Sequence, residues 1–307
     1  MVRLLVLLLT LAGAFSALAD SAVQQTPAAN QVPAWIIEVP ESVNDVLVAD
    51  TSDASLHRFR RDTGGVAWVD ERYMSIGLNG AGKQRAWDRK TPLGTYFITE
   101  RLDTSKLHDK YGVAAFPLDY PNAWDRRLDR TGYGIWLHGV DHKNPERPPR
   151  DTDGCLAIRN EALLQIADDL EPLVTPVIVA SEMSWTTPQA VEETRLALRF
   201  VLDQWHRSLE SGDILDHMAL YSDDFSYLGM NKADWGSYRL QVFENSGPPQ
   251  FVIEDILLMA DPVEPDLYLS RFTQVLANSG EPTRVVKRLY WRRLPGDRWE
   301  IVSEDTG

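Results

Sequence analysis

One cysteine, Cys155, occurs among 307 residues. A lone thiol cannot close a disulfide within its own chain, which excludes a cross-linked scaffold. It leaves two readings, a buried and inert small hydrophobe or a reactive thiol. Basic residues are also scarce. Thirty-one Lys and Arg face 45 Asp and Glu, for a net charge of -14. That balance argues against nucleic-acid binding, which needs a basic patch, and does not suggest attachment to a membrane surface. Beyond the N-terminal leader no run approaches the ~18 apolar residues that a spanning helix requires, so no stable membrane insertion is expected of the mature chain. There is no Gly-x-Ser-x-Gly elbow and no phosphate-binding Gly-rich loop. His57, His108, His206 and His217 stand isolated and read as surface or satisfied core residues.

The first 19 residues read as a signal peptide. Arg3 supplies the positive start, Leu4 to Leu11 the short apolar core, and Ala17-Leu18-Ala19 a small-residue cleavage site before Asp20. Export to the periplasm is the expectation, and the absence of cysteine at the cleavage point excludes a lipid anchor there. Residues 20–34, rich in Ala, Gln and Pro, read as a linker.

The chain is organised around Ile135 to Asn160. An apolar run ends at His138-Gly139. A polar, proline-containing excursion follows, and then Thr152-Asp153-Gly154-Cys155 opens a second apolar run. A thiol and an imidazole so placed suit acyl transfer, with Cys155 as nucleophile and His138 as general base and acid. A positive imidazole would also hold the thiol pKa down. The amides of Gly154 and Cys155 are expected to face a developing oxyanion, with Gly154 leaving room for approach. Thr152, or a carbonyl near Gly139, is the candidate that orients the imidazole, and Asp153 is placed to compete. The pair His138 and His142 raises a metal site as a weaker alternative, since paired histidines at this spacing ligate together on a helix and this segment follows a strand and contains glycine.

These residues resemble a known family. His138-Gly139 followed by Thr152-Asp-Gly-Cys155, with Asn160 five positions later, is similar to the YkuD-type L,D-transpeptidase domain of bacterial cell walls. Upstream, Trp87-Asp88-Arg-Lys-Thr91-Pro92-Leu-Gly94-Thr-Tyr96-Phe-Ile98 follows that family's G-D-x-x-T-P-x-G-x-Y-x-I pattern. The resemblance covers about half the chain. It implies a peptidoglycan stem peptide as substrate and no metal or other cofactor. It also suggests substrate contacts from Asp153, Arg150, Arg159, Trp136 and Asn160, with Arg147 beside them. Two positions depart from the pattern. Asp153 stands where many members have His, and Ala157 stands where cross-linking members usually have Arg. The second departure leans toward trimming by water over cross-linking by an amine. An inactive wall-binding scaffold is the alternative of another class.

Two domains are expected. Short runs rich in β-branched and aromatic residues between 46 and 180 predict a mostly-β sandwich or barrel over 35–180, with Asn79-Gly80 as a hairpin turn and one helix capped by Asn160 and ended by Pro172. A hinge at 181–187 precedes residues 188–307. There Thr187-Pro188 starts a long helix closed by Gly212, a short helix and another near 232–243 follow, and four strands complete the segment. That order predicts an α+β cone and, with Gly212-Asp213 and Tyr221-Ser222-Asp-Asp-Phe225, resembles an NTF2-like domain. A small-molecule enzyme housed in the cone, using Asp216, His217 and Asp224, is a further alternative. A YkuD-type domain followed by an NTF2-like one resembles the cell-shape L,D-carboxypeptidases, which trim wall peptides.

Overall fold

The computed structural model describes residues 30–63, 65–276 and 281–307. The expected signal peptide and most of the linker lie outside them.

The first domain is one curled sheet. Its strands run in the order Gly94–Phe97, Pro176–Ala180, Asp45–Asp50, Ser55–Asp62, Gly65–Gly77, Leu156–Ile158, Trp136–His138 and Ala115–Pro117, with Arg150–Thr152 pairing against Gly65–Gly77. The two ends of this order meet. Just past the first-placed strand Ile98 bridges Leu118, just past the last, so the sheet bends into a half-barrel. Inside lies a core of Leu47, Leu56, Met74, Ile76, Tyr96, Phe116, Leu137, Leu156, Ile158 and Val177, nearly all of it β-branched, leucine or aromatic. Where short runs were expected, residues Gly65–Gly77 form one continuous strand of 13 residues. Asn79-Gly80 does not join a hairpin. Gly80 N bonds Gly77 O at 2.7 Å, and the chain enters a loop closed by Asn79 N to Arg89 O and Thr91 N to Gly80 O.

The expected Asn160 cap is also corrected. Helix Asn160–Leu164 begins after Arg159 with no side-chain cap, and it is shorter than the apolar spacing predicted. Ile166 and Ala167, in turns, and Leu170 beyond them are buried all the same.

The second domain is α+β. Its sheet order is Met230–Asn231, Tyr221–Tyr227, Arg298–Thr306, Thr283–Leu294, Leu267–Leu276, Phe251–Ala260 and Ile36–Glu38. Helix Pro188–Ser211 starts where expected, Thr187 accepting from Ala190 N, and ends at Gly212 in the left-handed region, φ 73°. It buries Leu198, Val201, Leu202, Trp205 and Leu209 against the sheet.

The join between the domains differs from a hinge. Ile36–Glu38, expected in the first domain, is the edge strand of the second sheet, paired with Phe251–Ala260. Val32–Pro33 pairs with Trp185–Thr186, so the segment before the first domain is stitched to the segment after it. A continuous apolar cluster then spans both domains, from Val46, Val48, Phe59, Phe97 and Ile178 to Leu257, Met259, Leu269, Tyr290 and Val302. Trp124 stacks on Tyr290, with centroids 6.4 Å apart and planes at 19°. Buried Arg288 reaches across to Asp119 while Asp305 holds it from its own sheet, Nε to Oδ1 at 2.6 Å. A shared core with a buried, paired cation resists relative motion more than the polar surfaces that moving domains usually keep between them.

Candidate active site

The parallel pairing of Leu156–Ile158 with Trp136–His138 brings the two ends of the motif together. Ala157 lies opposite His138 and Leu156 opposite Leu137, so Cys155 enters its strand beside Trp136. A cavity of about 840 Å³ opens there, lined by Cys155, His138, Trp136, Thr152 and Asp153 and by residues of four other loops. Cys155 is half-buried. Its thiol donates to Gly134 O at 3.4 Å and its sulfur accepts from the Trp136 amide.

His138 is buried and its ring is fixed. Nδ1 lies 2.6 Å from Gly139 O. A carbonyl only accepts, so Nδ1 carries the proton and Nε2 is the basic nitrogen. Tyr111 packs edge-on against the ring at 5.1 Å. The loop that supplies Gly139 O is held from behind by Asn160. Its Oδ1 accepts from Val140 N at 3.0 Å and Val113 N at 3.3 Å, and its Nδ2 donates to Val140 O at 2.8 Å. A Cβ on Gly139 or Gly112 would collide with Asn160 Oδ1, which is why both are glycine. Asn160 therefore sits under the site and does not line the cavity.

The electrostatics differ from the sequence expectation. Burial pushes the His138 pKa down to about 4, with the Gly139 bond opposing it and the charges of Arg147 and Lys110 adding to it. Burial pushes the Cys155 thiol up to about 11, against the Trp136 amide and the positive charges of Lys110 and Arg147. A positive imidazole holding the thiolate is thus not the resting state. Both groups are neutral near pH 7, and the chemistry available is general-base deprotonation of the thiol as it attacks.

The oxyanion expectation is half altered. Gly154 N donates to Thr152 Oγ1 at 3.1 Å, and that hydroxyl donates to Cys155 O at 2.8 Å. Thr152 therefore shapes the turn and does not touch the imidazole. Gly154 has φ 126°, and a Cβ there would lie 2.6 Å from Lys90 O and 3.0 Å from the Ile135 side chain. Its glycine is demanded by backbone packing, not by substrate approach.

The remaining candidates divide. Trp136 and Asp153 line the cavity, as does Arg147. Asp153 is exposed and paired with Arg89 at 2.9 Å, not with His138. Arg150 lies against Gly80, and Arg159 pairs with Glu146 at 2.5 Å; neither lines the cavity. His142 Nδ1 faces Asn160 Nδ2 at 3.4 Å, and among the described residues no group of three His, Cys, Asp or Glu converges.

Sequence reasoning missed Lys110, Tyr111, Trp87 and Tyr133, all on the cavity wall. Tyr111 tilts against Trp136 at 4.6 Å and so builds the shelf beside His138. The signal for Trp87 was present, since it stands where the wall-enzyme pattern has glycine.

Both halves of the chain are similar to known proteins. Residues 44–179 match the family model of the YkuD L,D-transpeptidase catalytic domain. Residues 197–305 match that of the Cds6 C-terminal NTF2-like domain. Among solved structures, Bd1075 of Bdellovibrio bacteriovorus superposes with a TM-score of 0.72 at 24% identity, covering 91% of this chain and 99% of that one. The helical cell shape determining protein Pgp2 of Campylobacter jejuni gives 0.72 at 21% identity, covering 88% and 94%. At these identities the likeness is one of fold. No curated protein matches the chain in sequence.

Proposed function

We propose that this chain, whose residues 44–179 belong to the YkuD L,D-transpeptidase catalytic domain family and whose residues 197–305 belong to the Cds6 C-terminal NTF2-like family, trims peptidoglycan stem peptides as an L,D-carboxypeptidase. The observation that carries it is one open cavity holding a thiol and an imidazole whose Nε2 is the free base. The family domain implies the peptidoglycan substrate. The leader read from residues 1–19 belongs with a protein exported to where that polymer lies.

In this reading Cys155 Sγ bonds to the carbonyl carbon of the diamino acid's L-centre while its proton passes to His138 Nε2. The tetrahedral adduct collapses, the C–N bond breaks, and His138 returns the proton to the leaving D-alanine amine. A water then attacks the thioester, giving its proton to His138. The C–S bond breaks, and the proton returns to sulfur, leaving a tripeptide. With the Gly154 amide occupied, we assign the oxyanion to the Cys155 amide. Hydrolysis is favoured over amine attack because Ala157 stands at a buried strand position where cross-linking members usually carry Arg.

Purified protein incubated with disaccharide-tetrapeptides should release D-alanine and tripeptide, read by chromatography. Cys155→Ala should lose on the order of 10⁴-fold or more in rate, as nucleophile removal does elsewhere. Cross-linked dimers without tripeptide would overturn the trimming reading. No turnover by wild-type protein, or unchanged products with Cys155→Ala, would favour a wall-binding scaffold.

A further inference from the structure

Trp87 is a bulky residue at φ 67°, in the left-handed region that favours glycine. Arg89, two residues on, is also there at φ 57°. Such backbone persists where its surroundings over-determine it. Here Asp88 does so. Its Oδ1 takes Lys83 Nζ at 2.7 Å and Lys90 N at 3.1 Å, and its Oδ2 takes Gln84 N at 2.8 Å and Arg85 N at 3.0 Å. Burial opposes ionisation, but these bonds hold the carboxyl down at about 2. All this order serves a ring left in the open, since Trp87 is 84% exposed.

Beside it a second loop also presents an aromatic ring. Gly132 at φ 113° and Gly134 at φ 74° bracket Tyr133, which is 77% exposed. A Cβ on Gly132 would lie 2.9 Å from the Lys83 side chain, so the two loops are packed together at their bases. The rings of Trp87 and Tyr133 meet edge to face, 6.5 Å apart at 77°, forming an open corner on the wall of the cavity that holds Cys155. Gly134 also receives the Cys155 thiol, which ties the corner to the nucleophile.

Two exposed aromatic rings, one on the strained loop clamped by Asp88 and one between two glycines, add little to the packing of the fold. Apolar side chains of a peptide are better held by an enclosed pocket. An open corner of flat faces fits a ring with one apolar face and a hydroxylated rim. We propose that Trp87 and Tyr133 grip a sugar ring of the glycan to which the stem peptide is attached, making this a specificity site for saccharide-bearing over free peptides. The proposal rests on the wall-peptide reading of the cleft and names a second part of the same substrate.

The test measures binding by calorimetry in a Cys155→Ala background, where no turnover intervenes. The ligands are disaccharide-tetrapeptide and free tetrapeptide. The sugar should raise affinity about tenfold in the parent, the gain of roughly one to two stacking contacts. Trp87→Gly, which relieves the backbone as it removes the ring, should cut that gain to less than about twofold, and Tyr133→Ala should do likewise. Equal affinity for the two ligands in the parent, or a gain that survives both substitutions, overturns the proposal. If wild-type protein releases D-alanine while the sugar gain is absent, the aromatic grip alone falls. If neither ligand binds and nothing is released, the wall-peptide reading falls with it.

Discussion

Each domain buries a histidine beside a cavity, His138 in the first and His217 in the second, and the two rings are wired in opposite ways. His138 gives Nδ1 to the Gly139 carbonyl and keeps Nε2 for the cleft that holds Cys155. In the second domain a cavity of about 570 Å³ is lined by Trp205, Tyr221, Trp235, Lys287 and Glu304, and His217 lies behind it. There both ring nitrogens are engaged, Nδ1 with Ser208 Oγ at 3.0 Å and Nε2 with Tyr221 OH at 3.3 Å. Tyr221 OH in turn donates to Glu304 at 2.9 Å, and Lys287 Nζ closes the chain on Glu304 at 2.6 Å. Burial lowers both histidines, to about 4 for His138 and about 3 for His217. A depressed pKa therefore does not tell the two regions apart. The partners do, because a ring with both nitrogens satisfied can hold a core together but has none to offer a substrate.

That comparison breaks first under acid. Both rings are neutral in the fold and would take a proton at about 6.5 once unfolded. Through these two rings the unfolded chain binds up to two more protons as pH falls below about 6.5; His57, also lowered by burial, adds to that difference, and Asp261, raised by burial to about 6, opposes it. The stability these two rings contribute is fully present above that pH, and is lost toward pH 4 at up to about 2.7 kcal/mol per unit. Urea unfolding at a series of pH values measures it, and His217→Gln should remove up to about 1.4 kcal/mol per unit from the slope. Activity should behave differently. It needs neutral His138 and a protonated thiol, so the rate should be flat through neutral pH, with an acid limb near 4 and an alkaline limb near 11 set by the two groups. Iodoacetamide should correspondingly label Cys155 slowly at pH 7. Fast labelling there would show a resting thiolate and refute the neutral pair.

A smaller effect probes how His138 is wired. Asn160→Ala strips the Val140 and Val113 amides and the Val140 carbonyl of their partner. Leaving these buried groups unpaired should cost about 2 kcal/mol in urea unfolding. Because Gly139 O sits in the released loop, kcat should fall about tenfold or more with KM changing less. A variant that loses the stability and keeps kcat would detach Asn160 from the imidazole.

Much of this was legible in the chain. The thiol, the imidazole, the α+β order of the second half and the cap and stop of helix Pro188–Ser211 all follow from local residue patterns. What was not legible depends on distant contacts. Asn160 reads as a helix cap because its type and place suit one, and only the fold turns it toward Val113 and Val140. Gly154 reads as clearance for substrate, but the atom that demands it is Lys90 O, sixty-odd residues away. Ile36–Glu38 is too short to declare a sheet, and its partner lies past residue 250. The thiol's raised pKa follows from burial, which spacing does not report.

The smallest predicted effect separates neighbourhood in sequence from neighbourhood in the site. Asp153 adjoins the Gly-Cys step and reads as a competitor for orienting His138. Its carboxylate instead meets Arg89, and both side chains are exposed. Exposed pairs contribute about 0.2 to 1 kcal/mol, so Asp153→Ala should move the unfolding free energy by no more than about 0.5 kcal/mol. Its negative charge also raises the Cys155 pKa, less than burial does. Removing it should shift the alkaline limb of the rate profile slightly downward and leave the acid limb in place. If the acid limb moved instead, Asp153 would be coupled to the imidazole, and the Gly139 carbonyl would no longer suffice as its orienting partner.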